Sequence, residues 1–280
     1  MKLIVDAGGS KTEWRTIDAN HQISQGKLSG FNPLIQPKSD CDLLVDELIN
    51  QLKGAVKEVH YYGAGIINDE IKGLVKSSFE THLKDCEVFV NNDLLGAARA
   101  VCGREHGIAC ILGTGSNSCY FDGQSIVEHV PPLGYLLGDE GSGMALGKAI
   151  VTAYLRDQLP KDLKTRFVKR FDDSSSELLN RLYQEARPNT FLAGFTKFIL
   201  QNIQHPYIYQ MVAGSFRGFF ENVLLLYKKP AEQRVHFSGS IAFYFSDVLR
   251  AVASEYNIRI HNIVESPIAG LVLFHSSVDI

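Results

Sequence analysis

One local pattern occurs twice in this chain: an apolar run stops abruptly in small residues, as "LIVDAGGSKT" at 3–12 and again as "ACILGTGSNS" at 109–118. The same grammar surrounds each copy. "KLIVD", "TEWRTID" and "QISQGKLSG" predict three strands separated by Gly or Asp-Ala-Asn turns. A helix follows in "SDCDLLVDELINQLKGAVKEV", with Ser39 or Asp40 as its cap and Leu44, Leu48, Leu52 and Val56 at helical spacing. "VHYYGAG" then predicts a strand, "NDEIKGLVKSSFETHL" a helix capped by Asn68, "EVFVN" a strand and "DLLGAARAV" a helix. The second copy runs through "GIACILGTGSNS", "CYFDGQ" and "SIVEHV", with a hairpin at Asp122-Gly123. A long helical stretch, roughly 142–229, precedes the strand "RVHFSGS", a helix in "YFSDVLRAVASEY", the strand "IRIHNI" and a last helix opened by Ser266 and Pro267.

Two copies of one βββαβαβα unit account for the whole chain, the second carrying a helical insertion. The expected division is 1–104 and 105–280, with the last helix a candidate to pack back on the N-terminal domain. A chain of 280 residues suits two such cores, and 45% apolar residues suffice to fill them. The formal net charge of -3, with acids and bases interspersed, argues against nucleic acid or anionic membrane as the main partner. No signal-peptide pattern opens the chain and no run reaches the roughly 20 apolar residues of a membrane span, so a soluble cytoplasmic protein is expected. Cys41, Cys86, Cys102, Cys110 and Cys119 are odd in number and form no CxxC pair, which suits structural thiols in a reducing compartment.

The glycines carry the chemistry. A Gly-Gly turn alone reads as a hairpin, but glycines also let consecutive backbone amides close on an anion such as phosphate. Two such turns at equivalent places in a duplicated unit would hold a polyphosphate from both sides. Neither is a Walker loop, and no GxGxxG precedes a helix. Asp6 ends the first strand, where it either caps the turn or anchors a hard cation. Asp93 stands where a later strand meets its helix, where it either caps the helix or accepts a proton. Both acids belong to the carboxyl edge of one parallel sheet, the edge that lines the crevice in α/β units.

With these residues read, "DAGGSKTEW", "GTGSN" and "FSGSIA" resemble, in order, the two phosphate motifs and the adenosine motif of the sugar kinase, heat-shock chaperone and actin ATPases. "NND" before an Ala-rich helix, then "GTGSN" and "GYLLGDEGSG", are similar to N-acetylglucosamine kinases within the BadF/BadG-type ATPase group. The resemblance implies an α/β fold of duplicated ribonuclease H-like domains, the actin-like ATPase fold. It implies a kinase that uses ATP and Mg²⁺ on the 6-hydroxyl of an amino sugar; a homodimer is compatible with it. By the same resemblance Asp93 would be the catalytic base, and Asp6 would position Mg²⁺ through water. Gly8, Gly9, Ser10, Lys11 and Thr12, with Gly115 and Ser116, would hold the phosphates, and Gly239 and Ser240 would border the adenosine. Asn32, Thr114 and Asp139 would meet the sugar beside Asp93, whereas by local sequence alone Asn32 also suits a turn before Pro33 and Asp139 a cap for the helix that follows.

The chain departs from the animal enzymes at Tyr135 and Pro131-Pro132, which replace a Gly-Trp-Gly stretch, and at Pro33, which follows Asn32 in place of His. These changes fall in the sugar pocket, so a different hexose or hexosamine is an alternative substrate. A rival class is an ATP-driven activator of an acyl-CoA dehydratase type, which shares an iron-sulfur cluster between subunits. It would need exposed cysteines in a glycine-rich turn. A silent sugar sensor is a third reading, against which an intact Asp93 and both turns speak. The ROK kinases would need a zinc-binding cysteine cluster that is missing.

Overall fold

The computed structural model describes residues 1–172 and 174–276. The first repeat contains β1 (Lys2–Ala7), β2 (Lys11–Ile17), β3 (Ile23–Ser29), α1 (Lys38–Asn50), β4 (Glu58–Gly63), α2 (Asp69–His82), β5 (Glu87–Asn92) and α3 (Asp93–Cys102). Its sheet has the order β3-β2-β1-β4-β5. The hairpin strands β1, β2 and β3 pair antiparallel, whereas β1, β4 and β5 run parallel. Helical crossovers make that parallel arrangement possible. Burial follows position in the sheet: β4, buried along nearly its whole length, is central, and the largely exposed β3 is an edge.

Alternate residues of this sheet feed two cores. Leu3, Val5, Ala7, Val59 and Tyr61 pack with Cys41, Leu44, Leu48, Val75 and Phe79 of α1 and α2. On the opposite face Ile4, Ile17 and Tyr62 pack against Ile268, Leu271 and Val272 of a C-terminal helix, α13 by chain order, Ile268–Ser276. Asn68 caps α2, its side chain accepting from the Ile71 amide as its position before the first turn implies. α1 differs from expectation at both ends. Pro37 precedes Lys38 in place of a Ser39 or Asp40 cap, because its fixed φ suits helix entry without a side-chain bond. The helix ends at Asn50, before Gly54 at φ +108°, and Val56 is buried outside it.

The second repeat opens with β6 (Gly107–Leu112), β7 (Ser116–Phe121) and β8 (Ile126–Glu128) and closes with β9 (Val235–Ser238), α11 (Ser240–Tyr244), α12 (Ser246–Glu255), β10 (Ile260–Val264) and α13. Its sheet order, β8-β7-β6-β9-β10, repeats the topology of the first sheet. Between them lies the helical insertion: α4 (Gly134–Leu137), α5 (Gly143–Leu155), α6 (Lys161–Phe171), α7 (Ser175–Gln184), α8 (Pro188–Ala193), α9 (Thr196–Gln201) and α10 (Pro206–Asn222). The insertion has an aromatic core of its own, in which Phe167 stacks on Tyr154 at 4.6 Å and on Phe195 at 5.8 Å. Gly147 lets α8 press on α5, since a Cβ there would stand 1.8 Å from the Leu192 carbonyl oxygen.

By contact the chain forms two compact units. Among the described residues, the first gathers Met1–Ala109, Phe121–Val127 and Ser266–Ser276, and the second Cys110–Tyr120 and those between Glu128 and Glu265. Among the described residues no helix is long and apolar enough to cross a membrane. All five cysteines are free thiols, four of them buried and Cys86 half-buried.

Candidate active site

The first glycine turn joins β1 to β2. It is closed by the Gly8 amide donating to the Lys11 carbonyl at 2.9 Å, and the Gly8 carbonyl accepts from the Phe31 amide at 3.2 Å. The chain after β3 lies directly on this turn: a Cβ on Gly30 would come within 2.5 Å of the Gly9 carbonyl and 2.6 Å of the Lys11 nitrogen. A Cβ on Gly9 would meet nothing within 4 Å, so the other side of the turn is open. Ser10 and the Lys11 side chain are exposed beside it, whereas Thr12 is wholly buried, its hydroxyl without a partner among the described residues.

Three carboxyl groups stand near that turn. In the antiparallel register Asp6 faces Glu13 on the same side of the sheet, and the parallel register sets Asp6 beside Tyr62 and Tyr62 beside Asn91. Asp93, two residues past Asn91, therefore belongs to the same carboxyl edge as Asp6, two strands away. Burial pushes Asp6 up to about 7, and the charges of Asp93 and Glu13 push in the same direction against Lys11. Burial raises Asp93 to about 6, although the amides of Leu94 and of Asp93 itself oppose the rise. Asp93 is not the helix cap. Asn92 fills that role, its side-chain oxygen accepting from the Leu95 amide at 2.8 Å, and Asp93 follows it in the first turn of α3.

Asn32 sits at a turn of its own. Its Oδ1 accepts from the Leu34 amide at 3.0 Å and its backbone amide donates to Gln36 Oε1 at 3.0 Å. Gly65, at φ +76°, allows this approach: a Cβ there would stand 2.2 Å from Asn32 Oδ1. In the first unit the structure thus holds Asp6 and Lys11 at strand ends, and Gly8, Gly9, Ser10 and Asn32 on the loops, of one sheet edge, with Asp93 on the same edge.

The second glycine turn, in the second unit, runs from Gly113 to Ser116. Its carbonyls serve the start of α5: the Gly143 amide donates to Gly113 O at 2.8 Å and the Met144 amide to Thr114 O at 3.0 Å. Asp139, at φ +62°, lies under the turn, and its Oδ1 accepts from the Ser116 amide at 2.9 Å. Burial raises the Asp139 carboxyl, with the Ser116 amide opposing and Glu140 adding to the rise. Gly115 is required here, since its Cβ would sit 2.9 Å from Asp139 Oδ1. Gly239, at φ +115°, makes the turn from β9 into α11 against the end of β6; a Cβ would stand 2.3 Å from the Leu112 carbonyl oxygen. Ser240 opens α11, and a cavity of about 360 Å³ lies at the other end of that helix, lined in part by Gln204, Tyr209, Gln210, Tyr244 and Asp247.

Among the described residues no three His, Cys, Asp or Glu side chains converge on a preformed metal site. A Mg²⁺ ion does not need one, because it keeps several waters and takes one or two carboxylates along with substrate phosphates. Asp6 fits that partial role: its carboxyl is crowded by two other acids and opposed by one lysine, a charge balance that a divalent cation would correct. Glu13, Gly30 and Asn92 lie beside these residues, and no sequence motif marks them. For Glu13 the signal was present, since the hairpin register around Gly8-Gly9 places it opposite Asp6.

No protein-family model matches the chain, and no curated protein does. Among solved structures, a candidate N-acetylglucosamine kinase from Porphyromonas gingivalis is 37% identical and superposes with a TM-score of 0.93, the match covering 98% of each chain. A second candidate N-acetylglucosamine kinase, from Chromobacterium violaceum, is 16% identical with a TM-score of 0.75, again over 98% of each chain. A ROK family glucokinase from Streptomyces griseus, solved in complex with glucose and AMPPNP, is 18% identical with a TM-score of 0.60 over 98% of each chain. At the two lower identities the likeness is one of fold.

Proposed function

The chain belongs to the N-acetylglucosamine kinase-like family of the sugar kinase and actin ATPase fold, and from that premise we propose that it transfers the γ-phosphoryl group of ATP to the 6-hydroxyl of N-acetylglucosamine or a close amino sugar. The observation that carries this reading is the carboxyl of Asp93, which follows the Asn92 cap at the start of α3 and is raised to about 6 by burial. A base with that proton affinity is largely ionised at neutral pH and still accepts a proton readily.

In the proposed reaction Asp93 takes the proton of the 6-hydroxyl as the sugar oxygen bonds to the γ-phosphorus and the bond from that phosphorus to the bridging oxygen of ADP breaks. Most of the rate gain comes from positioning and charge stabilisation. In the first unit the backbone of the turn at Gly8, Gly9 and Ser10 and the Lys11 ammonium would meet phosphate, with the Thr12 hydroxyl behind the turn; in the second unit the turn at Gly115 and Ser116 is assigned the same task by the resemblance. Asp6 would hold Mg²⁺ through water, and the ion would supply positive charge to offset that of the phosphates. Gly239 and Ser240 border the nucleoside, and the cavity beyond α11 offers two tyrosine rings and amide groups to its base. Asn32 offers its amide nitrogen, Thr114 its hydroxyl and Asp139 its second carboxylate oxygen to sugar hydroxyls. We place the reaction in the cytoplasm, in keeping with the free thiols.

ADP release measured over a panel of N-acetylglucosamine, N-acetylmannosamine, glucosamine and glucose tests the reading. The highest kcat/KM is expected for N-acetylglucosamine. Turnover with glucose alone would overturn the amino-sugar assignment, and no sugar-dependent ADP release at all would overturn the kinase.

A further inference from the structure

Glu13 is a buried acid with three partners: one on its own strand β2, one on β3 and one in the loop ahead of α13. Its carboxylate accepts from Lys11 Nζ at 3.1 Å and from Lys27 Nζ on β3 at 2.8 Å, and it takes a hydrogen bond from Ser266 Oγ, just ahead of α13. The acid side chain is 9% exposed, but those of Lys11 and Lys27 are 46% and 73% exposed, so the two ammonium charges lie at the surface while their anchor lies beneath. A buried ion pair serves stability poorly, because desolvation offsets most of the attraction. This one does something else: it fixes the far end of a flexible lysine that belongs to the first glycine turn.

An unanchored lysine spreads its charge over many rotamers, and ordering it on ligand binding costs conformational entropy. Resting on the proposed phosphotransfer, we infer that Glu13 is a positioning residue for ATP: it holds the Lys11 ammonium beside the Gly8-Gly9 turn, ready for the phosphates, and Lys27 and Ser266 hold Glu13 in turn. The charges favour this arrangement. Asp6, directly opposite Glu13, is a second acid toward which Lys11 would swing if Glu13 did not hold it.

The test is a double-mutant cycle on the affinity for a non-hydrolysable ATP analogue in the presence of Mg²⁺, measured by calorimetry without sugar. Glu13→Gln should weaken binding about tenfold, and Lys11→Ala by a similar factor. If Glu13 acts through Lys11, the double variant should be no worse than Lys11→Ala alone. Ser266→Ala, which removes one support and leaves all charges in place, should weaken binding a few-fold in the wild-type background and not at all beside Lys11→Ala; it carries the cycle should Glu13→Gln not fold. Losses that add, or a Glu13→Gln protein that binds the analogue as tightly as wild type, would overturn the inference alone, provided wild type phosphorylates sugar. Wild-type protein that binds no analogue would overturn the phosphotransfer reading and this inference with it.

Discussion

At the scale of single residues, the two raised acids make opposing demands on stability and on function. Asp6 and Asp93 sit at about 7 and about 6 in the folded chain, well above the ordinary aspartate value of 3.8. The folded state therefore binds their protons more tightly than the unfolded state does. The stability this gives is complete below about 3.8 and is lost as pH rises through 6 and 7, where each buried carboxyl must ionise. Asn needs no ionisation. Asp6→Asn should accordingly melt higher than wild type at pH 8, by roughly 1–3 kcal/mol of stability, and should lose Mg²⁺-dependent turnover while sugar binding stays near normal; a melting temperature below wild type at that pH would mean that the carboxylate is not strained as described. Asp93→Asn should also fold, bind ATP and sugar, and lose on the order of 10² or more in kcat. Full turnover in that variant would remove Asp93 from catalysis. In wild type the acid limb of kcat/KM should fall near the Asp93 value of about 6. Asp6 and Asp93 were legible in the sequence because each interrupts an apolar run at its end. For Glu13 the hairpin register sets it opposite Asp6, but two of the groups that hold it, Lys27 and Ser266, come from residues far from it along the chain and are not signalled by spacing.

At the scale of elements, glycine marks where one piece of backbone needs another's space, and the two sides of the first turn show the difference. Gly30 touches the turn from behind, and Gly9 faces open space. Gly9→Ala should leave the melting temperature within about 2 °C of wild type, since its Cβ meets nothing, yet raise the KM for ATP because the methyl group occupies the phosphate side. Gly30→Ala should lower stability and ATP affinity together, because its Cβ must displace Gly9 and Lys11. Equal melting temperatures and equal KM values for the two variants would show that the open side of the turn is not where phosphate binds. The strand and helix order could be read from apolar periodicity, and so could the Gly-rich ends of β1 and β6. The end of α1 could not: Leu52 and Val56 continue the helical spacing, but the chain leaves the helix at Asn50 and buries Val56 from the following loop. Spacing alone does not reveal that a residue reaches the core by another route.

At the scale of the whole molecule, the chain returns to its beginning: α13, the last described helix, packs on the sheet of β1 and β4. Its docking surface is titratable. The His275 ring stacks on His60 at 3.7 Å, and its Nε2 lies 2.9 Å from the Tyr62 hydroxyl, to which Arg99 also donates. His60 in turn meets Glu58 at 2.5 Å, Lys2 pairs with Glu58, and Arg99 and Arg104 lie against the Phe274 ring. Burial, then the charges of His60, Arg99, Lys2 and Arg104, push His275 down to about 3, and burial lowers His60 as well despite Glu58. A histidine that is neutral when folded but titrates near 6.5 when unfolded contributes stability that is complete above 6.5 and is lost as pH falls from there toward 3. The raised acids Asp6 and Asp93 change in the opposite sense over the same range, so the melting curve of wild type alone does not isolate the histidine. A comparison does. His275→Gln keeps a hydrogen-bonding side chain near Tyr62 and has no proton to take up. Between pH 7 and pH 5 the melting temperature of wild type should fall relative to that of His275→Gln, and amide exchange in Ile268–Ser276, corrected for its intrinsic pH dependence, should quicken in wild type only. Parallel behaviour of the two proteins would show that α13 stays docked with His275 protonated. The helix entry at Ser266 is tied to Glu13, and Glu13 to Lys11, so acid that loosens α13 should also loosen the lysine of the first turn. The KM for ATP should then rise more steeply below pH 6 in wild type than in His275→Gln.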